Sequence, residues 1–98
     1  MLRVVDLELD TVSHCVRRDG QPIELTSKEY AILEYFVRSP NRVLTRAQIA
    51  EHVWDYDFVA MSNVVDVYVG NLRRKLKDDR DPRLLYTIRG TGYQLRVP

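Results

Sequence analysis

The chain is 98 residues long, 45% hydrophobic and 30% charged, with a formal net charge of +1 and a single cysteine. That size and balance fit one ordinary globular domain, 1–98, and exclude a disordered, fibrous or disulfide-stapled chain. No apolar run approaches the ~20 residues of a membrane span and no basic-then-apolar leader opens the chain, so a cytoplasmic location is expected.

Near the N-terminus, Leu7 and Leu9 share one face of a segment whose other face carries Asp6, Glu8 and Asp10. This is the period of a strand with one wet side. His14 to Arg18 forms a further run ending at Asp19-Gly20, a hairpin signal, and Ile23 and Leu25 alternate with Glu24 in the return strand. With Leu2 to Val5, these runs predict a four-stranded antiparallel sheet.

Two helix starts follow. Thr26 with Glu29 is a capping box, and Leu25 with Tyr30 the matching hydrophobic staple. The helix is predicted from about Ser27 to Arg38, with Tyr30, Leu33 and Val37 inward, and ends before Pro40. Thr45 with Gln48 repeats the device, stapled by Leu44 and Ile49, and opens a short helix from about Arg46 to Val53 or Trp54. Trp54 to Met61 reads as a connection carrying Asp55, Tyr56, Asp57 and Phe58. Aromatic residues on such a loop either pack beneath it or are presented to a partner.

Ser62 is a good N-cap for a third helix, about 62–77. Val65, Val69, Leu72 and Leu76 recur at the spacing of a buried seam, and Tyr68 borders it. Roughly 180° away on a helical wheel lie Asn63, Val67, Gly70, Asn71 and Arg74. Lys75 and Lys77 fall in the last turns, where cations complement the helix dipole. Asp81-Pro82 ends the segment, and Leu85 to Ile88 with Tyr93 to Val97 predict a closing hairpin whose glycines allow a tight turn.

Charge follows this division. Residues 1–62 hold seven Lys and Arg against ten Asp and Glu, whereas residues 63–98 hold eight against four. The basic field is therefore local to the C-terminal third, which matters more to a polyanionic partner than the average does. No metal site or cofactor is expected. His14 and Cys15 are neighbours on a predicted strand and point to opposite faces, and His52 has no ligand partner at helical spacing. Gly90-Thr91-Gly92 lacks the trailing glycine and helix of a dinucleotide fingerprint, and no serine or cysteine has an evident base, so enzymatic function is not expected.

Strands, three helices and a terminal basic hairpin, in that order, describe an α+β winged helix-turn-helix. Four motifs go further: Leu25-Thr26-Ser27-Lys28-Glu29-Tyr30, Val43-Leu44-Thr45-Arg46, Val65-Asp66-Val67 with Leu72-Arg73-Arg74-Lys75-Leu76, and Thr87-Ile88-Arg89-Gly90-Thr91-Gly92-Tyr93. Through them the chain resembles the DNA-binding effector domain of OmpR/PhoB-type response regulators over nearly its whole length.

The resemblance implies sequence-specific binding of double-stranded DNA, with the third helix in the major groove and the 85–97 hairpin as wing. Asn63 and Asn71 suit adenine edges, Val64 and Val67 thymine methyl groups, and Arg74 a guanine edge or a phosphate. Arg73 is placed for phosphate, Arg89 for the minor groove, and Thr87 and Tyr93 for the DNA backbone. Positions matching Trp54, Thr87 and Tyr93 touch phosphates in the family. Gly70 and Asn71 stand where relatives often carry Arg; Gly70 either lets the helix backbone approach DNA or marks a tolerated loss of a phosphate contact.

The resemblance also implies partners: RNA polymerase at Asp55, Tyr56, Asp57 and Phe58 (core packing of Tyr56 and Phe58 being the alternative), a receiver domain and its sensor kinase. Nothing in these residues matches a receiver, so the chain is either a free-standing effector or a piece of a longer protein. Two effectors would occupy repeated half-sites about 10 bp apart. A winged helix kept for protein–protein contact is the rival reading.

Overall fold

The computed structural model describes residues 1–54, 63–79 and 83–98. Short alternating runs pair first. Strands β1 (Leu2–Val4), β2 (Leu7–Leu9), β3 (Val16–Arg18) and β4 (Gln21–Ile23) form an antiparallel sheet in sequential order. Asp19 and Gly20 both take positive φ, 53° and 76°, the two-residue turn that matches the twist of its flanking strands. Leu7, Leu9 and Val16 face the core.

Three of these strands are shorter than expected, the first stopping at Val4 because Val5 takes a positive φ of 53°. The third begins at Val16 rather than His14, because Asp10 closes the preceding loop on itself. Its carbonyl accepts from the His14 amide, its side chain accepts from the Val12 amide, and its own amide donates to the Cys15 carbonyl. The fourth ends at Ile23, and Leu25 lies beyond it as the entry to the first helix.

Helices α1 (Ser27–Arg38) and α2 (Arg46–Val53) start at their capping boxes, with Thr26 and Thr45 each accepting from the backbone three residues on and Glu29 and Gln48 each returning the bond. Helix α3 (Val64–Leu76) turns Val65, Val69, Leu72 and Leu76 into the core. Its N-cap is Asn63, which makes no side-chain capping bond, while the expected cap, Ser62, lies outside the described residues. At the other end Lys77 adopts the left-handed conformation, φ 56°, and the amides of Lys77 and Asp78 return to the carbonyls of Arg74 and Arg73. This closure is usually given to glycine.

The expected C-terminal hairpin is present as β6 (Leu85–Ile88) and β7 (Gly92–Leu95), and a third strand joins it. β5 (Val43–Thr45) pairs with β7, giving the order β5-β7-β6. Gly92 lies opposite Thr45, where a Cβ would come within 2.1 Å of the Leu44 carbonyl oxygen. The wing is thus tied to the start of α2.

Beneath both sheets, Ile32, Leu33 and Phe36 of α1 meet Leu44, Ile49, Leu72, Leu85 and Leu95 in one core. One polar node crosses it. The buried Arg18 donates to Asp78 at 2.8 Å, to the Leu76 carbonyl at 3.0 Å and to Asp6 at 3.2 Å. Asp78 also accepts from the Leu84 and Leu85 amides, so one carboxylate joins the first sheet, the end of α3 and the start of the wing.

Candidate nucleic-acid interface

Helix α3 divides as its periodicity requires. Behind it the four-residue seam is buried; in front, Asn63, Gly70 and Arg74 are exposed and Val67 is 54% exposed. Asn71 is half-buried, its Oδ1 accepting from Arg74 Nη2 at 2.9 Å. Val64 is half-buried and packs against the core, so less of it is presented than of Val67. No Cβ at Gly70 would meet anything within 4 Å.

A chain of contacts then runs from α2 through α3 to the wing. Tyr93, expected at the DNA backbone, is 5% exposed, and its hydroxyl donates to Asp66. Arg46 Nε donates to the same carboxylate oxygen at 2.8 Å. The guanidinium carbons of Arg46 and Arg73 lie 5.4 and 5.3 Å from the Tyr93 ring centroid, within cation–π range. Arg73 Nη2 in turn donates to Thr87 Oγ1 at 2.7 Å and to the Leu85 carbonyl at 3.3 Å. Tyr93 therefore positions two arginines, and Thr87, exposed on the wing, keeps its hydroxyl proton for another acceptor.

The titration of these groups reflects that geometry. Burial alone would raise the Asp66 carboxyl, but the bonds from Tyr93 and Arg46 hold it below its ordinary value. Burial and the Asp66 carboxylate push the Tyr93 hydroxyl up. Both stay in the form that keeps the bond at neutral pH.

Beside this network lies an open groove of about 660 Å³ between the end of α3 and β6. Arg73, Arg74, Lys77 and Arg83 line it together with Asp78 and Asp79. Arg89 is exposed in the wing turn, next to Gly90 at φ 75°. Trp54 is set back from this surface, 8% exposed, its ring edge-on to Tyr68 at 5.1 Å and capped by Lys28 at 5.8 Å. Asp55, Tyr56, Asp57 and Phe58 lie outside the described residues.

Two cations of this surface, Arg46 and Arg83, were not legible as site residues in the sequence. Arg46 is held by Asp66, twenty residues on in the chain, and Arg83 lines the groove beside the end of α3. Their signal was no more than a basic residue type. Both histidines are taken up in ring stacks, His14 on Tyr30 at 4.1 Å and His52 on Tyr35 at 3.9 Å. Among the described residues, no group of three or more His, Cys, Asp and Glu is placed to hold a metal, and no helix is long and apolar enough to cross a membrane.

The family of transcriptional regulatory protein C-terminal domains matches residues 20–95. The chain belongs to that family. This OmpR/PhoB-type winged-helix domain is 50% identical over 95 residues to the response regulator MprA of Mycobacterium tuberculosis, covering 97% of the chain and 41% of that protein. It is 47% identical over 97 residues to the transcriptional regulatory protein TrcR of the same species, covering 99% of the chain and 37% of the relative. The domain thus spans about two fifths of the length of these curated relatives. Among solved structures it is similar to the DNA-binding domain of the response regulator AdeR in complex with an intercistronic region, with a TM-score of 0.85, 30% identity and full coverage of both chains. The family is one of transcriptional regulators and not a class of enzymes.

Proposed function

We propose that the domain binds double-stranded DNA sequence-specifically, with α3 in the major groove and the β6–β7 hairpin as a wing, as the non-enzymatic effector unit of a transcriptional response regulator. The observation that carries this reading is the open Asn63, Val67, Gly70 and Arg74 face of α3, flanked by the Arg73, Arg74, Lys77 and Arg83 groove. An α-helix fits the major groove, and cations along its edge meet the phosphates on either side. The likeness to a domain solved with DNA supports the same docking.

In this reading Asn63 and Val67 read bases, Arg73, Thr87 and Lys77 hold phosphates, and Arg89 reaches the adjacent minor groove. Tyr93 and Trp54 act from beneath the surface. Residues 1–98 act as one effector unit in the cytoplasm, joined in the whole protein to a receiver domain under a sensor kinase. Its partners are repeated promoter half-sites and RNA polymerase, the latter through residues 55–61.

Selection from a random duplex library tests the reading directly. A defined motif is expected, and affinity for it should fall steeply as salt rises, because several phosphates are neutralised. Arg89→Ala should weaken all duplexes alike, and Asn63→Ala should relax preference at particular bases. A flat salt dependence with no selected motif would instead favour a protein–protein module.

A further inference from the structure

Asn71 and Arg74 stand three residues apart on the outward face of α3, and they are already joined. Arg74 Nη2 donates to Asn71 Oδ1 at 2.9 Å, so the side-chain oxygen of the asparagine lies against a guanidinium. Reading adenine takes both ends of an asparagine: Nδ2 donates to N7 while Oδ1 accepts from the N6 amino group. One of the two Oδ1 lone pairs is taken here, and an adenine N6 donor brought to the other would lie beside the positive charge of Arg74. What the pair offers outward is chiefly the Asn71 Nδ2 protons and the remaining guanidinium protons, a set dominated by donors. The base edge that meets such a set is guanine, whose major-groove O6 and N7 are both acceptors.

We infer that Asn71 and Arg74 act as one donor fork that specifies guanine, Arg74 masking the oxygen through which Asn71 alone would choose adenine. This rests on the docking proposed above and replaces the adenine role expected of Asn71. The open surroundings leave room for the fork to close on a base edge. Gly70 adds no side chain beside it, and a Cβ there would touch nothing within 4 Å. Val67, one turn before Asn71, adds an apolar contact for a neighbouring thymine methyl group.

The test is duplex selection from a random library with the wild-type domain, Arg74→Ala and Asn71→Ala, followed by titration of labelled duplexes differing at the affected base pair. Both side chains lie on the surface, so the variants should fold, which circular dichroism checks. The wild type should prefer guanine over adenine at one position by about tenfold or more. Arg74→Ala should switch that position towards adenine, since Oδ1 is released. Asn71→Ala should weaken the guanine preference without creating one for adenine. Adenine at that position in the wild type would overturn the inference. So would an Arg74→Ala variant that loses affinity on every duplex equally with its base ranking unchanged, the mark of a phosphate contact. A wild-type domain that selects no motif at all would defeat the major-groove docking itself, a separate failure.

Discussion

Two glycines show how differently one residue type can be used. At Gly70 an added Cβ meets open space and φ is ordinary, so nothing within the domain requires glycine there. Gly70→Ala should raise stability by about 0.5 to 1 kcal/mol, the helix-propensity difference, as read by urea unfolding. DNA affinity should stay level; a drop despite the added stability would mark this as the point where the helix backbone meets DNA. At Gly92 the neighbouring carbonyl of Leu44 leaves no room. Gly92→Ala should cost about 1 to 3 kcal/mol, because β5 or β7 must shift. An alanine tolerated without loss would mean that β5 does not press on the wing. The local sequence places Gly70 on a helix and Gly92 in a hairpin, but not what a Cβ at either position would meet. The turn at Arg89-Gly90-Thr91-Gly92 suggested conformational freedom for both wing glycines, but only Gly90 uses it; Gly92 is needed for close approach.

Among the elements, α1 and α2 were the most legible, because a capping box writes both the start and its satisfied donors into four consecutive residues. Glu29 does more than cap. Burial alone would raise its carboxyl, yet the Lys75 ammonium at 2.7 Å and the Thr26 backbone hold it below its ordinary value. A carboxyl lowered in the folded state adds stability that is present above its unfolded value, near 4.5, and is lost as pH falls through the folded one. Glu29→Gln keeps the cap, as Gln48 does in the second box, and removes the charge pair with α3. It should lower stability by about 1 to 2 kcal/mol at pH 7, and the gap should close as pH falls below about 4. A gap that is the same at pH 3 and pH 7 would show that the ion pair contributes nothing. β5 was illegible for the opposite reason. Val43-Leu44-Thr45 is three residues long, and only its pairing with β7, some fifty residues on, makes it a strand.

For the whole molecule, the deciding contact is the Arg18–Asp78 node, since it binds the first sheet to the junction of α3 and the wing. Asp78→Ala should cost about 3 to 5 kcal/mol in chemical unfolding, because it takes one carboxylate from a buried guanidinium and removes the acceptor of the Leu84 and Leu85 amides. A loss no larger than that of a surface ion pair would mean that Asp6 and the Leu76 carbonyl suffice for Arg18. Which helical face of α3 turns inward was legible in the order of residues, because apolar spacing and helix period are both local properties. So were the sheet–helices–hairpin order and the family. It took the folded chain to turn Tyr93 in to Asp66, to bring Arg46 and Arg83 to the basic surface and to set Arg74 against the oxygen of Asn71. Most of these contacts join residues far apart in the chain, and the last depends on the rotamer each side chain takes, so neither spacing nor composition carries them.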